Sequence, residues 1–174
     1  NLDKSDLTKI GDVFAKAAAV SQTSVEQMTQ AMKTASVVGE QYGASMQDTA
    51  TALTLLAKMN ITGTAAGTSL RNMLKELYSP TDKAAKIMKD LGVSAQTAAG
   101  ELKPFPDVIF SMKKKLEEFN KASQVKILQG LFGERGAKEA IAMLSLTREE
   151  WDKLNKTISE SGGFMREVSA ELEG

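Results

Sequence analysis

The sequence predicts an all-α protein, a compact bundle of about eight to ten short helices with one irregular loop around residues 93–106. Three observations predict it. Apolar residues recur at spacings of three and four along almost the whole chain. Ser, Thr or Asp residues stand ahead of these periodic stretches and Gly behind them, as helix caps require. Outside the loop no five-residue segment alternates apolar and polar residues with the period of a strand.

Each helix is read from its stripe and its ends. The first carries Leu7, Ile10, Phe14 and Ala17 behind Ser5 or Asp6 as N-cap. Ser24-Val25-Glu26-Gln27 forms a capping box that opens a second helix, with Met28, Ala31, Met32, Ala35 and Val38 on one face and a stop near Gly43. Ser45 with Asp48 three residues on starts the third, where Ala50, Leu53, Leu56 and Met59 make the stripe up to Asn60. The fourth runs from about Thr64 through Leu70, Met73, Leu74 and Leu77 and stops before Pro80. Ser79-Pro80 then reads as N-cap and first residue of a fifth helix bearing Ala84, Ile87, Met88 and Leu91 and ending at Gly92.

Periodicity fails from Val93 to Pro106, where Gly100, Pro104 and Pro106 mark a loop with a short extended pair around Gly100. Helix resumes at Asp107, with Val108, Ile109, Met112, Leu116 and Phe119 on one side and Lys113, Lys114 and Glu117 on another. A shorter helix from Ser123 carries Val125, Leu128, Leu131 and Phe132. The glycines of "LQGLFGERGAKEA" follow, then a stripe of Ala137, Ala140, Ile141 and Leu144. Thr147-Arg148-Glu149-Glu150 is a capping box ahead of Trp151, Leu154 and Ile158. Gly162-Gly163 closes that helix, and Phe164 to Leu172 makes a last amphipathic turn or two. The nine Met are expected in the core as adaptable filler. Gly63-x-x-x-Gly67 is open to two readings, two helices in close approach, since small residues let backbones pack tightly, or simply glycines at a helix start.

Composition removes several functions. The chain has no Cys and no His, so disulfide frameworks, thiolate nucleophiles, histidine bases and histidine metal ligands are all absent. Lys plus Arg equals Asp plus Glu at 22 each, so no global field draws the chain to nucleic acid or to an anionic membrane. No apolar run is long enough to span a bilayer. A chain of 174 residues can bury about 70% of its unfolded surface, so one helical domain covering 1–174 is expected. It begins at Asn1 rather than Met and is read as an internal piece of something longer.

Candidate chemistry is thin. Gly130, Gly133 and Gly136 do not make a phosphate loop, because Gly136 is followed by Ala137-Lys138-Glu139 instead of Lys-Ser/Thr and no strand precedes them. They read as a helix end and junction. Ser-x-x-Lys at Ser111/Lys114 and Ser123/Lys126 occurs about as often as chance dictates and lacks its companion motifs. Glu117/Glu118 and Glu149/Glu150 are adjacent on helices and so point about 100° apart, which is unsuited to a paired-acid mechanism. Lys113-Lys114-Lys115 is offset by Glu117 and Glu118 within a turn. The sequence therefore assigns no catalytic residue, no cofactor, no metal and no small-molecule substrate.

Four stretches in order, "TGTAAGTSLRNMLKELYSPT" (62–81), "MKDLGVS" (88–94), "GELKPFPDVI" (100–109) and "LFGERGAKEAIAML" (131–144), resemble the core region of phage tail tape measure proteins. The lead-in "DVFAKAAAVSQTSVEQMTQAMK" and "YGASMQDTATALTLLAKMNI" resembles that family as well, so nearly the whole chain is covered. Gly63, Gly67, Leu70, Pro80, Gly92, Pro104, Pro106, Gly133 and Gly136 fall in these stretches and are taken as the structural positions of the motif. The resemblance implies a structural component of a phage, prophage or tailocin tail, located in the virion tail and in the host cytoplasm during assembly. It implies a role in tail assembly, tail length and DNA ejection. The partners it implies are tail tube, tail assembly chaperone and distal tail proteins, together with self-association. Two other classes stay open on the sequence alone: a generic helical protein-protein interaction module, and a lytic or membrane-perturbing domain.

Overall fold

In a computed structural model, residues 4–160 are described, and they form eight helices. These are α1 (Lys4–Ser21), α2 (Val25–Gln41), α3 (Met46–Lys58), α4 (Gly63–Tyr78), α5 (Asp82–Leu91), α6 (Phe105–Leu116), α7 (Lys121–Leu144) and α8 (Arg148–Ser159). Among the described residues there is no strand, only an isolated antiparallel bridge between Gln96 and Leu102. Gly100 turns the chain between these two residues with φ +84°. The all-α bundle and the short extended pair around Gly100 are both as the sequence predicts.

The first four helices are joined by one turn used three times. Gln22, Gly43 and Asn60 each take a left-handed conformation just past a helix end, with φ of 59°, 74° and 65°. The next N–H then reaches back to the preceding helix, Thr23 to Ala18 O, Ala44 to Gly39 O and Ile61 to Leu56 O, at 3.0, 2.8 and 3.0 Å. That backward bond satisfies a carbonyl which the helix leaves without a partner. The following residue, Ser24, Ser45 or Thr62, is the next N-cap. These short turns bring each helix back onto the ones before it, so α1 packs on α2 and α3, and α2 on α3 and α4, its contact with α4 being the most extensive of the fold. Then α7 packs across α4, α5 and α3, while α8 covers α3 and α1.

One continuous core results. Met28, Leu53, Leu56, Leu70, Leu74 and Leu77 are among its fully buried members, with Ile109, Met112, Met143 and Trp151 toward the C-terminal helices. Six methionines (28, 32, 73, 88, 112 and 143) are buried, whereas Met59 stands partly exposed at the C-cap of α3.

Several boundaries differ from the sequence expectation. α1 is already helical at Lys4, so Ser5 and Asp6 lie inside it. Ser24 accepts from the Gln27 N–H at 3.0 Å, but the Gln27 side chain accepts from Thr23 Oγ1 at 2.6 Å. Ser79 is consumed in closing α4, its N–H bonded to Lys75 O, so Thr81 caps α5 and Pro80 stays in the turn. Helix α6 starts at Phe105 with Pro104 as N-cap, and Pro106 sits in its first turn, where a missing N–H costs nothing. Asn120, not Ser123, caps α7 by accepting from the Ser123 N–H at 2.8 Å. Phe119, Val125 and Ile141 are exposed and not part of the core stripe, Phe119 because α6 ends before it. Lys113 is tethered rather than solvated, its Nζ donating to Leu146 O at 2.6 Å. Gly162-Gly163 and the segment Phe164 to Leu172 lie outside the described residues.

Candidate functional site

The motif positions divide between one helix crossing, the turns and one kink. At the crossing, Gly67 of α4 faces α2 so closely that an added Cβ would come to 2.5 Å from Ala31 O and 2.6 Å from Thr34 Cβ. Gly63, one turn earlier, has φ +59° and a space bounded by Gln30 Oε1. Leu70 follows on the same side, fully buried. Glycine here has a steric reason: no other residue lets the two backbones approach to this distance.

Pro80 and Gly92 bracket α5, with Gly92 as a left-handed C-cap at φ +80°. Pro104 and Pro106 fix the entry to α6. Beside that entry the Tyr78 hydroxyl donates to Lys103 O at 2.6 Å, tying the end of α4 to the loop. Burial, with the charges of Asp48 and Asp107 behind it, pushes the Tyr78 phenol well above the usual tyrosine range.

The kink lies in α7. Gly133 has φ 76° and ψ 174°, an essentially glycine-only conformation, and it divides the element in two. The flanking glycines answer to contacts: a Cβ on Gly130 would press Ile87 Cδ1 at 2.7 Å and one on Gly136 would press Phe132 Cβ at 2.8 Å. The bend opens a cleft of about 620 Å³ between α4 and α7, and Gly133 and Gly136 line it. Gly67 does not, because it faces α2.

Sequence reasoning missed the polar residues of that cleft. Glu139 is 4% exposed and accepts from Ser69 Oγ at 2.7 Å. Glu76 also lines the cleft, and its Oε2 is buried with no hydrogen-bond partner. Periodicity offered no signal, since a Glu on an amphipathic helix is ordinarily assigned to solvent.

A second polar cluster holds α8 in place. Asn155 Nδ2 donates to Asp48 Oδ1 at 2.9 Å and to Thr51 Oγ1 at 3.2 Å. Burial raises the Asp48 pKa, only partly opposed by hydrogen bonds from Ser45 and Asn155 and by the Arg148 charge. Arg148 pairs with Asp107 at 2.7 Å and lies 5.5 Å from the centre of the Phe110 ring. Trp151 is buried edge-on to Phe105 and Phe110. Both arms of the capping box read at Thr147 and Glu150 are present.

Among the described residues no three His, Cys, Asp or Glu side chains are placed to hold a metal ion, and no helix is long and apolar enough to cross a membrane. The motif glycines and prolines thus serve close packing, turns and a kink, the features of an all-α packing module. The family described as "Phage-related minor tail protein" matches residues 1–133, and the chain belongs to it. It is 29% identical over 172 residues to the tape measure protein of Pneumococcus phage Dp-1, covering 99% of this chain and 15% of that protein. It is 28% identical over 170 residues to the probable tape measure protein of Escherichia phage P2, covering 96% of this chain and 21% of that protein. The chain therefore spans a minor part of the length of these relatives. No solved structure gives a significant match.

Proposed function

We propose that this chain is one folded helical domain within a longer tape measure protein, and that it acts in tail assembly and length determination without catalysing a reaction. The observation that carries this is the alignment of 99% of the chain with the tape measure protein of phage Dp-1. Its partners on this reading are tail tube, assembly chaperone and distal tail proteins, with the virion tail as its final location and the host cytoplasm as the place of assembly. The motif residues Gly63, Gly67, Leu70, Pro80, Gly92, Pro104, Pro106, Gly133 and Gly136 act through packing and chain direction, not through chemistry.

Caps and left-handed stops divide the chain into short helices, each burying a face on its neighbours. A globule of this length has a radius of gyration of about 16 Å and adds little length to a tail. Threaded as one continuous helix, the same 174 residues would span about 260 Å. Within a protein that determines tail length, we assign this domain to assembly or anchoring at a tail end more than to length itself, in its globular state. Electron microscopy of phage carrying an in-frame deletion of this segment tests the assignment. Failed or unanchored tails are expected; infectious virions with tails shorter by about 260 Å would show that the segment is threaded as a ruler.

A further inference from the structure

The cleft between α4 and the bent α7 sorts its charges by depth. On its floor Glu139 is almost fully buried, and the buried Oε2 of Glu76 has no hydrogen-bond partner. At its mouth lie the bases. Arg135 is 80% exposed and approaches Glu139 only to 3.6 Å, and Lys75 is exposed. Glu139 thus has Ser69 and a long contact to Arg135, whereas Glu76 Oε2 has no donor, and both cations stay in solvent. A buried acceptor without a partner is rare in a folded protein and calls for a donor.

Three glycines line the opening, two for room beside a neighbouring side chain and one for its backbone conformation. Gly130 makes room for Ile87, Gly133 supplies the backbone bend and Gly136 makes room for Phe132. At about 620 Å³ the cleft is far larger than one ion needs, and it falls in the range of ligand sites. Among the described residues no third acidic or other metal-ligating side chain joins the two glutamates.

We propose that this cleft binds a lysine or arginine side chain presented by a partner polypeptide, with its ammonium or guanidinium against Glu76 and Glu139. A cationic donor supplies the hydrogen bond that Glu76 Oε2 lacks and adds a charge opposite Glu139, and charge-assisted bonds to a carboxylate are the stronger kind. The exposed Arg135 and Lys75 favour an acidic residue beside the inserted base. The proposal stands independently of the role in tails.

The test is titration of the chain with the blocked peptide acetyl-Glu-Arg-Glu-amide, read by calorimetry and by backbone amide shifts. Saturable binding is expected, with shifts at Ser69, Asn72, Gly133 and Gly136. The same peptide with citrulline for arginine should bind at least tenfold more weakly, and so should the arginine peptide to Glu76→Gln. Arg135→Ala, at an exposed site, removes the cation that competes for Glu139 and should strengthen binding of acetyl-Ala-Arg-Ala-amide, which offers Arg135 no glutamate to pair with, at least threefold. Absence of saturation, equal binding of the citrulline peptide, shifts elsewhere on the surface, or unchanged affinity of Arg135→Ala for acetyl-Ala-Arg-Ala-amide would each overturn the proposal. Spermidine producing the same shifts as tightly as the peptide would mark a polyamine site and overturn it as well.

Discussion

The carbonyl oxygen of Ala31 on α2 lies 2.5 Å from where a Cβ would stand on Gly67 of α4. Two effects compete if that Cβ is added. Replacing Gly by Ala inside a helix gains up to about 1 kcal/mol of propensity. Overpacking against a backbone atom, which cannot swing away as a side chain can, costs about 1–3 kcal/mol. The clash should win, so Gly67→Ala is expected to lower the unfolding free energy in urea, and Gly67→Leu to lower it further. An unchanged midpoint would mean that α2 and α4 are not in close contact there.

Gly11 of α1 is the matched control. It lies in a helix with nothing within 4 Å of an added Cβ and without a positive φ. Only the propensity effect remains, and Gly11→Ala should raise the melting temperature. Opposite signs at Gly11 and Gly67 in the same assay separate steric from conformational roles.

Gly133 gives a third outcome for a third reason. A Cβ there meets no atom within 4 Å, but the backbone sits at φ 76°. Gly133→Ala should therefore cost about 1–3 kcal/mol through strain alone. If the melting temperature does not fall, the backbone at 133 is not held in that conformation.

Asp48 makes stability depend on pH. Its pKa is raised in the folded state, chiefly by burial, so folding favours the protonated form. The contribution is present below the ordinary carboxylate value of 3.8 and is lost as pH rises through the raised value. Asp48→Asn, which imitates the neutral acid and keeps an acceptor for Asn155, should lack that loss and be more stable than the parent at pH 7. Urea melts of both proteins from pH 3.5 to 7 check this; parallel profiles would refute it.

Trp151 anchors α8, burying its ring against Phe105 and Phe110, with Ile158 as the other buried residue of that helix. Trp151→Ala should cost about 3–5 kcal/mol. Hydrogen exchange should show the loss of protection first in Arg148–Ser159, because that helix buries little else. Uniform loss across all helices would show that α8 does not open separately from the rest of the core.

Most helices were legible because their signals are local. Ser24, Ser45 and Thr147 accept from the third amide onward with or without the rest of the protein, and Gly92 stops a helix wherever it stands. Where two local signals competed, the sequence misled. Both Ser79 and Thr81 can cap α5, and only the use of the Ser79 N–H to close α4 decides for Thr81. Gln22 was harder still: it repeats the turn made at Gly43 and Asn60, yet glutamine, unlike glycine or asparagine, does not announce a left-handed stop.

By itself the sequence determined the helical class, the order of the helices, the irregular loop before α6 and the break at the glycines of α7, because caps, stops and apolar periodicity act over a few residues. Only the tertiary structure decided that Gly67 faces Ala31, that Gly130 faces Ile87, and that Glu76 and Glu139 line one cleft. Those relationships join residues distant in the chain, and they depend on how closely the helices approach and how far α7 bends at Gly133, which no local pattern encodes.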